Sequence, residues 1–183
     1  MSKLVTGGYN YYLNREYKKA LDCAESALAE KSEDIKALQL KGNALLAMNL
    51  PLEAISCFNT IIKLNYNFLD AYIACAQAYV MLGDYKKAEN CANSALHISE
   101  RSYRAIFAWA LKGFISYSLG KYQDSERYYI NAKKLAKSQR YLRRPKEESS
   151  QIWCMLGNLS YRKIGEKVEN YVAFKKVYPP IQI

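Results

Sequence analysis

The sequence predicts an all-α protein built from stacked helix pairs, and two observations lead to that fold class. First, three cysteines and three alanines each recur every 34 residues: Cys23, Cys57 and Cys91, and Ala20, Ala54 and Ala88. A fixed period of this length indicates stacked repeats, each of them one supersecondary unit. Second, the 183 residues include only 8 glycines and 4 prolines, which disfavour helix interiors, while half of the chain is apolar. The sequence therefore predicts a modular helical protein with a continuous core.

Residues 69–102 show the helix pair of one repeat most clearly. Gly83 predicts a helix end followed by a turn, since glycine is favoured just after a helix. We expect the second helix to run from about Tyr85 to Ile98, and the small residues Ala76 and Ala88 would let the two helices approach closely. The buried faces follow from apolar and small residues at helical spacing: Tyr72, Cys75, Ala76, Tyr79 and Val80, then Ala88, Ala92, Ala95 and Leu96.

The same pattern divides the chain into five repeats, at residues 1–34, 35–68, 69–102, about 106–139 and about 150–178. Each first helix carries a glycine or alanine at one equivalent position, and the second helices of the first four repeats carry a stripe of mostly small or apolar residues. The first-helix residues are Gly8, Gly42, Ala76, Gly113 and Gly157. The second-helix stripes are Ala20/Ala27/Leu28, Ala54/Phe58/Ile61, Ala88/Ala95/Leu96 and Ser125/Tyr129/Ala132. The period lengthens after the third repeat and again after the fourth. The sequence thus predicts one solenoid domain over 1–183, with a basic insertion at 138–149.

Three segments carry the motifs of one known repeat. Trp153–Gly157 matches its opening, Ala54–Phe58 matches its Ala-x3-Phe centre, and Gly83–Ala88 matches its turn into the second helix. The chain therefore resembles the tetratricopeptide-repeat family, whose unit is a 34-residue helix–turn–helix. The resemblance covers nearly the whole chain, although the usual proline at the repeat end is missing. It implies an α-solenoid of about five repeats, wound as a right-handed superhelix with the first helices on the concave face.

The sequence offers no group of residues suited to catalysis. A catalytic site needs a nucleophile, a base and an orienting group together, and His97 is the one histidine, near the end of a predicted second helix. No phosphate-binding glycine loop, dinucleotide-binding motif or HExxH sequence occurs. The three periodic cysteines, about 10 Å apart from one repeat to the next, are too distant for a disulfide, and we interpret them as packing residues. We expect no enzyme activity, no cofactor and no metal.

The resemblance implies a peptide-binding groove on the first helices. Asn43, Gln77 and Asn158 stand at one equivalent position, and their amides offer a donor and an acceptor to the backbone of an extended peptide. Aromatic and aliphatic neighbours would receive apolar side chains. The alternative is that the amides are solvated and the aromatic rings pack between repeats. The groove residues in this register are Tyr9, Tyr12, Gln39, Asn43, Ile73, Gln77, Phe107, Phe114, Tyr117, Asn158 and Tyr161.

One subfamily of these repeats holds the C-terminal carboxylate of heat-shock chaperones with lysine, asparagine and arginine side chains. In that register Asn43 matches, but Gln39 stands where a lysine is needed. Ala74, Phe107 and Leu111 occupy the remaining asparagine, lysine and arginine places. The sequence therefore predicts that this chain does not bind a carboxyl terminus in that way.

Charge is distributed unevenly along the chain. Residues 1–102 contain 11 basic and 11 acidic residues, and residues 103–183 contain 16 and 6, so the net charge of +10 lies in the second part. The densest basic run is most simply a solvated face. The alternatives are that it binds an acidic protein segment, an anionic membrane or a nucleic acid, on whose bases neighbouring tyrosines would stack. Its basic residues are Arg127, Lys133, Lys134, Lys137, Arg140, Arg143, Arg144 and Lys146.

Location and partners follow from the remaining features. The start has no apolar stretch of signal-peptide length, no apolar run approaches the roughly 18 residues of a membrane span, and the five cysteines favour free thiols. We expect an intracellular, cytoplasmic protein, with the nucleus left open. The favoured function is a non-catalytic scaffold or adaptor that holds an extended or acidic protein segment. Two alternatives remain: a nucleic-acid-binding repeat protein, and a self-associating subunit of a homodimer or larger complex, assembled through the apolar end at 178–183.

Overall fold

The computed structural model describes residues 3–138, and this part of the chain consists of helices joined by short connections. The chain divides between Glu100 and Arg101 into two compact units, which are described separately. The first unit contains six helices, α1 (Lys3–Leu13), α2 (Tyr17–Glu30), α3 (Ile35–Ala47), α4 (Pro51–Leu64), α5 (Leu69–Met81) and α6 (Tyr85–Ile98). The described part of the second unit contains α7 (Ala105–Ser118) and α8 (Tyr122–Ser138).

The helices form hairpins with three-residue connections, in which α1 packs on α2, α3 on α4, α5 on α6 and α7 on α8. Within the first unit, α2 also packs on α3 and α4 on α5, so successive hairpins stack. The predicted all-α class built from helix–turn–helix repeats is therefore confirmed, and α6 has the predicted bounds. One domain over 1–183 stays a prediction, because the fifth repeat at 150–178 and nearly all of the insertion at 138–149 lie outside the described residues.

A residue in the left-handed region ends the first helix of each hairpin. These residues are Arg15, Asn49, Gly83 and Gly120, with φ from 62° to 76°. In the third hairpin the Asp84 N–H then reaches back across the turn and donates to the Tyr79 carbonyl at 3.0 Å. This combination closes the free end of a helix, and glycine adopts the required conformation without a steric penalty.

Aspartate side chains fix the start of two helices. Asp34 Oδ1 accepts hydrogen bonds from the N–H groups of Lys36 (2.9 Å) and Ala37 (3.2 Å) at the beginning of α3. Asp84 Oδ1 accepts one from the Lys87 N–H (3.1 Å) at the beginning of α6. Each carboxylate satisfies N–H groups that have no partner inside the helix, which typically contributes about 1 kcal/mol.

Small residues let the two helices of a hairpin approach closely, as the sequence predicts. Ala20, Ala54 and Ala88 on the second helices are fully buried. A Cβ placed on Gly42 of α3 would lie 2.6 Å from Cζ of the Phe58 ring on α4, so the ring occupies the space that a side chain would need. The largest fully buried side chains of the first unit are Phe58, Leu40, Ile61, Val5 and Cys75.

In the second unit, two polar residues occupy stripe positions of α8 and bond to carbonyls of α7. Ser125 Oγ donates to the Gly113 carbonyl at 2.9 Å, and the Tyr129 hydroxyl donates to the Ala110 carbonyl at 2.9 Å. Burial raises the pKa of the Tyr129 phenol, so the hydroxyl stays neutral and available as a donor. These hydrogen bonds explain how serine and tyrosine fit where the earlier repeats have alanine and an apolar residue. Within residues 3–138, no helix has the length and apolar character that a bilayer crossing requires.

Candidate functional site

The first helices of the first unit form a row in which α1 contacts α3 and α3 contacts α5. Side chains that recur every 34 residues on these helices therefore succeed one another along one face. Six of the predicted groove residues belong to this row, and we call them the first-helix face: Tyr9, Tyr12, Gln39, Asn43, Ile73 and Gln77.

The amide-bearing residues of the first-helix face are half-buried, and no hydrogen bond to another described residue holds their amides. Gln39 and Asn43 on α3 and Gln77 on α5 are each partly shielded from solvent. Within residues 3–138, none of these three side chains forms a hydrogen bond or an ion pair. Since none of the described side-chain N and O atoms is buried without a partner, these amides remain in contact with solvent and are free to bond to the backbone of a ligand. Asn43 and Gln77 also stand at equivalent positions of neighbouring repeats, as the sequence predicts.

Tyr9 and Tyr12 contribute to the contact between the first two repeats as well as to the face. Both rings pack against a buried cluster built from α2 and α3. Burial, the Asp70 carboxylate, Tyr12 and the Asp34 carboxylate together raise the pKa of Tyr9 to about 12. Burial also raises the pKa of Tyr12, whose ring lies 5.5 Å from the ring of Tyr17 between centroids. These two tyrosines therefore present only part of their rings to a ligand.

The other aromatic and aliphatic groove residues differ in exposure. Ile73 leaves 7% of its surface exposed and Phe107 leaves 8%, so both are mainly core side chains. On α7 of the second unit, Phe114 and Tyr117 are half-buried, and the Tyr117 ring meets the ring of Tyr122 edge-on at 5.4 Å. Asn158 and Tyr161 lie outside the described residues.

The described part of the basic run lies on α8. Arg127 is exposed and its Nη1 lies 3.6 Å from Oδ1 of Asp124, one turn earlier. Lys133 and Lys134 are exposed, and Lys137 belongs to the same helix. The rest of the predicted patch lies outside the described residues: Arg140, Arg143, Arg144 and Lys146. A ligand for the basic run therefore stays a prediction.

Sequence reasoning missed a cation–aromatic cluster on the second unit. The Lys112 ammonium lies 4.4 Å from the Tyr128 ring centroid and 5.8 Å from that of Trp109. The two rings stack with their centroids 5.8 Å apart. The sequence contains a signal for this cluster, because Lys112 is the one charged residue of the largely apolar α7. Such contacts typically contribute about 0.5–1 kcal/mol at a surface.

Chemistry-bearing residues are dispersed over the described helices. Residues 3–138 contain no group of three or more His, Cys, Asp or Glu side chains arranged to hold a metal ion. His97 is exposed near the end of α6. The periodic cysteines differ in exposure, since Cys57 is buried and Cys23 and Cys91 are partly exposed.

The fold is shared with solved repeat proteins. TTC0263 of Thermus thermophilus, a thermophilic TPR protein, superposes with a TM-score of 0.72 at 22% identity, over 88% of this chain and 81% of that one. A crystal structure of MamA gives 0.67 at 19% identity, over 75% of this chain and 79% of MamA. The first TPR of Spaghetti (RPAP3), bound to the HSP90 peptide SRMEEVD, gives 0.58 at 20% identity, over 64% of this chain and 90% of that domain.

Helix hairpins, a 34-residue period and these structural neighbours define the chain as a helical-repeat protein. Its fold is that of the tetratricopeptide repeat, as the sequence motifs indicate. No protein-family profile matches the chain. Among curated proteins, the peroxisomal targeting signal receptor of Eremothecium gossypii is 29% identical over 93 residues. The match covers 51% of this chain but only 16% of that receptor, so the chain spans a small part of the relative's length.

Proposed function

We propose that this chain is a non-catalytic protein-interaction scaffold that holds an extended peptide segment of a partner on the first-helix face. The observation that carries the proposal is the set of half-buried amides, Gln39, Asn43 and Gln77, which lack a partner within residues 3–138. A peptide in extended conformation exposes backbone N–H and C=O groups at regular intervals. Amides on successive helices of the row are spaced to bond to such groups at several points along the peptide.

Peptide binding by a structural neighbour supports the proposal at the level of the fold. The RPAP3 domain is bound to a heptapeptide of HSP90, SRMEEVD. The present chain differs where a carboxylate would need positive charge. Gln39 is neutral, and Phe107 and Leu111 are apolar side chains with 8% and 1% of their surface exposed. We therefore propose that the bound segment is an internal stretch of the partner, held through its backbone.

The test uses the full chain to select from a random library of twelve-residue peptides displayed on phage. The selected peptides are then synthesised and titrated by fluorescence anisotropy. We expect the double variant Asn43→Ala/Gln77→Ala to weaken their binding by about tenfold or more, because hydrogen bonds of about 0.5–1.5 kcal/mol each are lost. The matched control is Asn93→Ala, which removes an exposed amide from α6, a second helix outside the row, and should leave the affinity unchanged.

Two outcomes contradict the scaffold proposal: selection of no binding peptide, or peptides whose affinity falls as much with Asn93→Ala as with the double variant. SRMEEVD serves as a separate probe of the carboxylate prediction, and we expect no binding at micromolar concentration. Micromolar binding that is lost when the peptide terminus is amidated would show that a carboxylate is held after all, while leaving the scaffold proposal intact.

A further inference from the structure

The third repeat contains two cysteines that face each other across its helix pair. Cys75 on α5 is fully buried, in a core cluster with Phe58 and Ile61. Cys91 on α6 is partly exposed and packs against the same cluster. The two thiols are close enough for each to affect the pKa of the other. Cys75 Sγ donates a hydrogen bond to Oδ1 of Asn59 on α4 at 3.9 Å.

The close approach of α5 and α6 brings these sulfurs together. Ala76 and Ala88 are both fully buried, so small side chains line the contact between the helices. Cys75 directly precedes Ala76, and Cys91 follows Ala88 by one turn of α6. In the first repeat, a Cβ placed on Gly8, the residue equivalent to Ala76, would lie 3.0 Å from Cβ of Cys23, the residue equivalent to Cys91. The cysteine position of the second helix therefore lies against the first helix of its own hairpin, and a disulfide to Cys75 needs Cβ atoms about 3.5–4.5 Å apart.

The third repeat differs in this respect from the other two of the first unit. The residue equivalent to Cys75 is Lys41 in the second repeat, and its ammonium pairs with Glu25 Oε1 at 2.7 Å. In the first repeat that position is Gly7, which has no side chain. Cys23 and Cys57 therefore have no second thiol on the facing helix. Among the described residues, a thiol pair of this kind is specific to Cys75 and Cys91.

The environment gives the two thiols different chemical roles. The neighbouring Cys75 thiol lowers the pKa of Cys91, which favours its thiolate. The interaction with Cys91, followed by burial, raises the pKa of Cys75, which keeps its proton. The thiolate is the nucleophilic form of cysteine. The partly exposed Cys91 is thus suited to meet an oxidant, and the buried Cys75 is placed to react with the product.

We propose that Cys75 and Cys91 form a redox-active dithiol that a hydroperoxide converts into an intramolecular disulfide between α5 and α6. The Cys91 sulfur attacks one oxygen of hydrogen peroxide, the O–O bond breaks, and water leaves with the thiol proton. This step forms a sulfenic acid on Cys91. The Cys75 sulfur then attacks the Cys91 sulfur, the S–S bond forms, the S–O bond breaks, and hydroxide leaves as water with the Cys75 proton. Overall, two thiols lose two electrons and one peroxide is reduced to two waters.

The disulfide would be a reversible covalent link between the two helices of the third repeat. It joins the helix that carries Gln77 to its partner helix, two residues from that amide. Formation of the disulfide is independent of whether the first-helix face binds a peptide, because it depends only on the two sulfurs and their access to oxidant.

The test treats the reduced full chain with a small molar excess of hydrogen peroxide, stops the reaction with catalase, and alkylates remaining thiols with N-ethylmaleimide after unfolding. The reduced chain should take up five labels, one for each cysteine in the sequence. After oxidation we expect the uptake to fall by two, with a Cys75–Cys91 linked peptide in the digest. Dithiothreitol should restore the full uptake.

Variants distinguish this pair from general thiol oxidation. Cys91→Ala and Cys75→Ala should each abolish the linked peptide, and Cys75→Ala should leave a Cys91 sulfenic acid that dimedone traps. Cys57→Ala, at the equivalent position of the second repeat, is the matched control and should keep the linked peptide. Far-UV circular dichroism checks that each variant is helical, and the partly exposed Cys91 provides the variant less disruptive to the core. The proposal is overturned by full label uptake after oxidation, by a linked peptide with other cysteines, or by equal loss in Cys57→Ala.

Discussion

At the scale of single residues, Gly42 and Gly7 show that the same amino acid has different roles in neighbouring first helices. A Cβ on Gly42 would lie 2.6 Å from the Phe58 ring, whereas a Cβ on Gly7 would meet no atom within 4 Å. Phe58 is fully buried and surrounded by core side chains, so its ring cannot move aside at low cost. Gly42 is therefore required by the packing of α3 on α4, and Gly7 is not.

We expect Gly42→Ala to lower the free energy of unfolding by about 1–3 kcal/mol, the usual effect of overpacking a core. Gly7→Ala is the matched control and should raise it by about 0.5–1 kcal/mol, since alanine is the better residue inside a helix. Urea unfolding followed by circular dichroism measures both changes. If the two variants shift stability in the same direction, the close approach of Gly42 and Phe58 is not a real constraint.

The residue scale also shows where sequence reasoning stops. The 34-residue period correctly placed Asn43 and Gln77 at equivalent points of successive helices. The period could not predict that Ile73 and Phe107 are mainly buried. On a first helix, the positions that pack against neighbouring helices directly adjoin the positions that face solvent. Which of those positions is covered depends on helices that are distant in sequence. The Cys75–Cys91 pair was missed because Cys75 does not belong to the row of cysteines that recurs every 34 residues.

At the scale of the elements, the turns within the hairpins share one geometry but not one residue. Each has a left-handed residue after the first helix, and Gly83 and Gly120 suit it. Arg15 has φ +62° at the same point of the first hairpin, where a side chain is normally unfavourable. Asn49 also has φ +62°, but asparagine tolerates this conformation better than arginine. The glycine turns could be predicted from sequence, and the arginine turn could be inferred only from its place in the repeat.

Arg15→Gly should therefore stabilise the first hairpin. We expect a gain of about 1 kcal/mol in the free energy of unfolding, because glycine adopts the left-handed conformation without a Cβ contact. Asn49→Gly, the matched change in the second hairpin, should give a smaller gain. Thermal and urea unfolding of the two variants beside the parent chain provide the comparison. A loss of stability in Arg15→Gly would mean that the arginine side chain contributes more than its backbone conformation costs.

At the scale of the whole molecule, two sequence signals coincide with the boundary between the compact units. The boundary falls at Glu100 and Arg101. The connection before α7 contains six residues, 99–104, whereas four residues separate α2 from α3 and α4 from α5. The balance of charge also changes there, from equal numbers over 1–102 to a strong basic excess over 103–183. A longer connection and a change of composition are typical of a boundary between units.

We therefore expect residues 1–100 to fold without the rest of the chain. This fragment contains three complete hairpins, and its core clusters consist of its own side chains, including Phe58 and Ile61 of α4 packed with Ala71 and Cys75 of α5. Three repeats are also about the minimum for a stable stack. Circular dichroism should show a helical fragment with one cooperative transition in urea.

A shorter fragment provides the control for this prediction. Residues 1–68 lack α5, so Phe58 and Ile61 lose the side chains that cover them and expose apolar surface to water. We expect this fragment to be several kcal/mol less stable, since each large core side chain typically contributes about 1.5–3 kcal/mol when buried. If 1–100 shows no cooperative transition, the first unit depends on residues beyond the boundary. If 1–68 is as stable as 1–100, the contact between α4 and α5 does not hold the unit together.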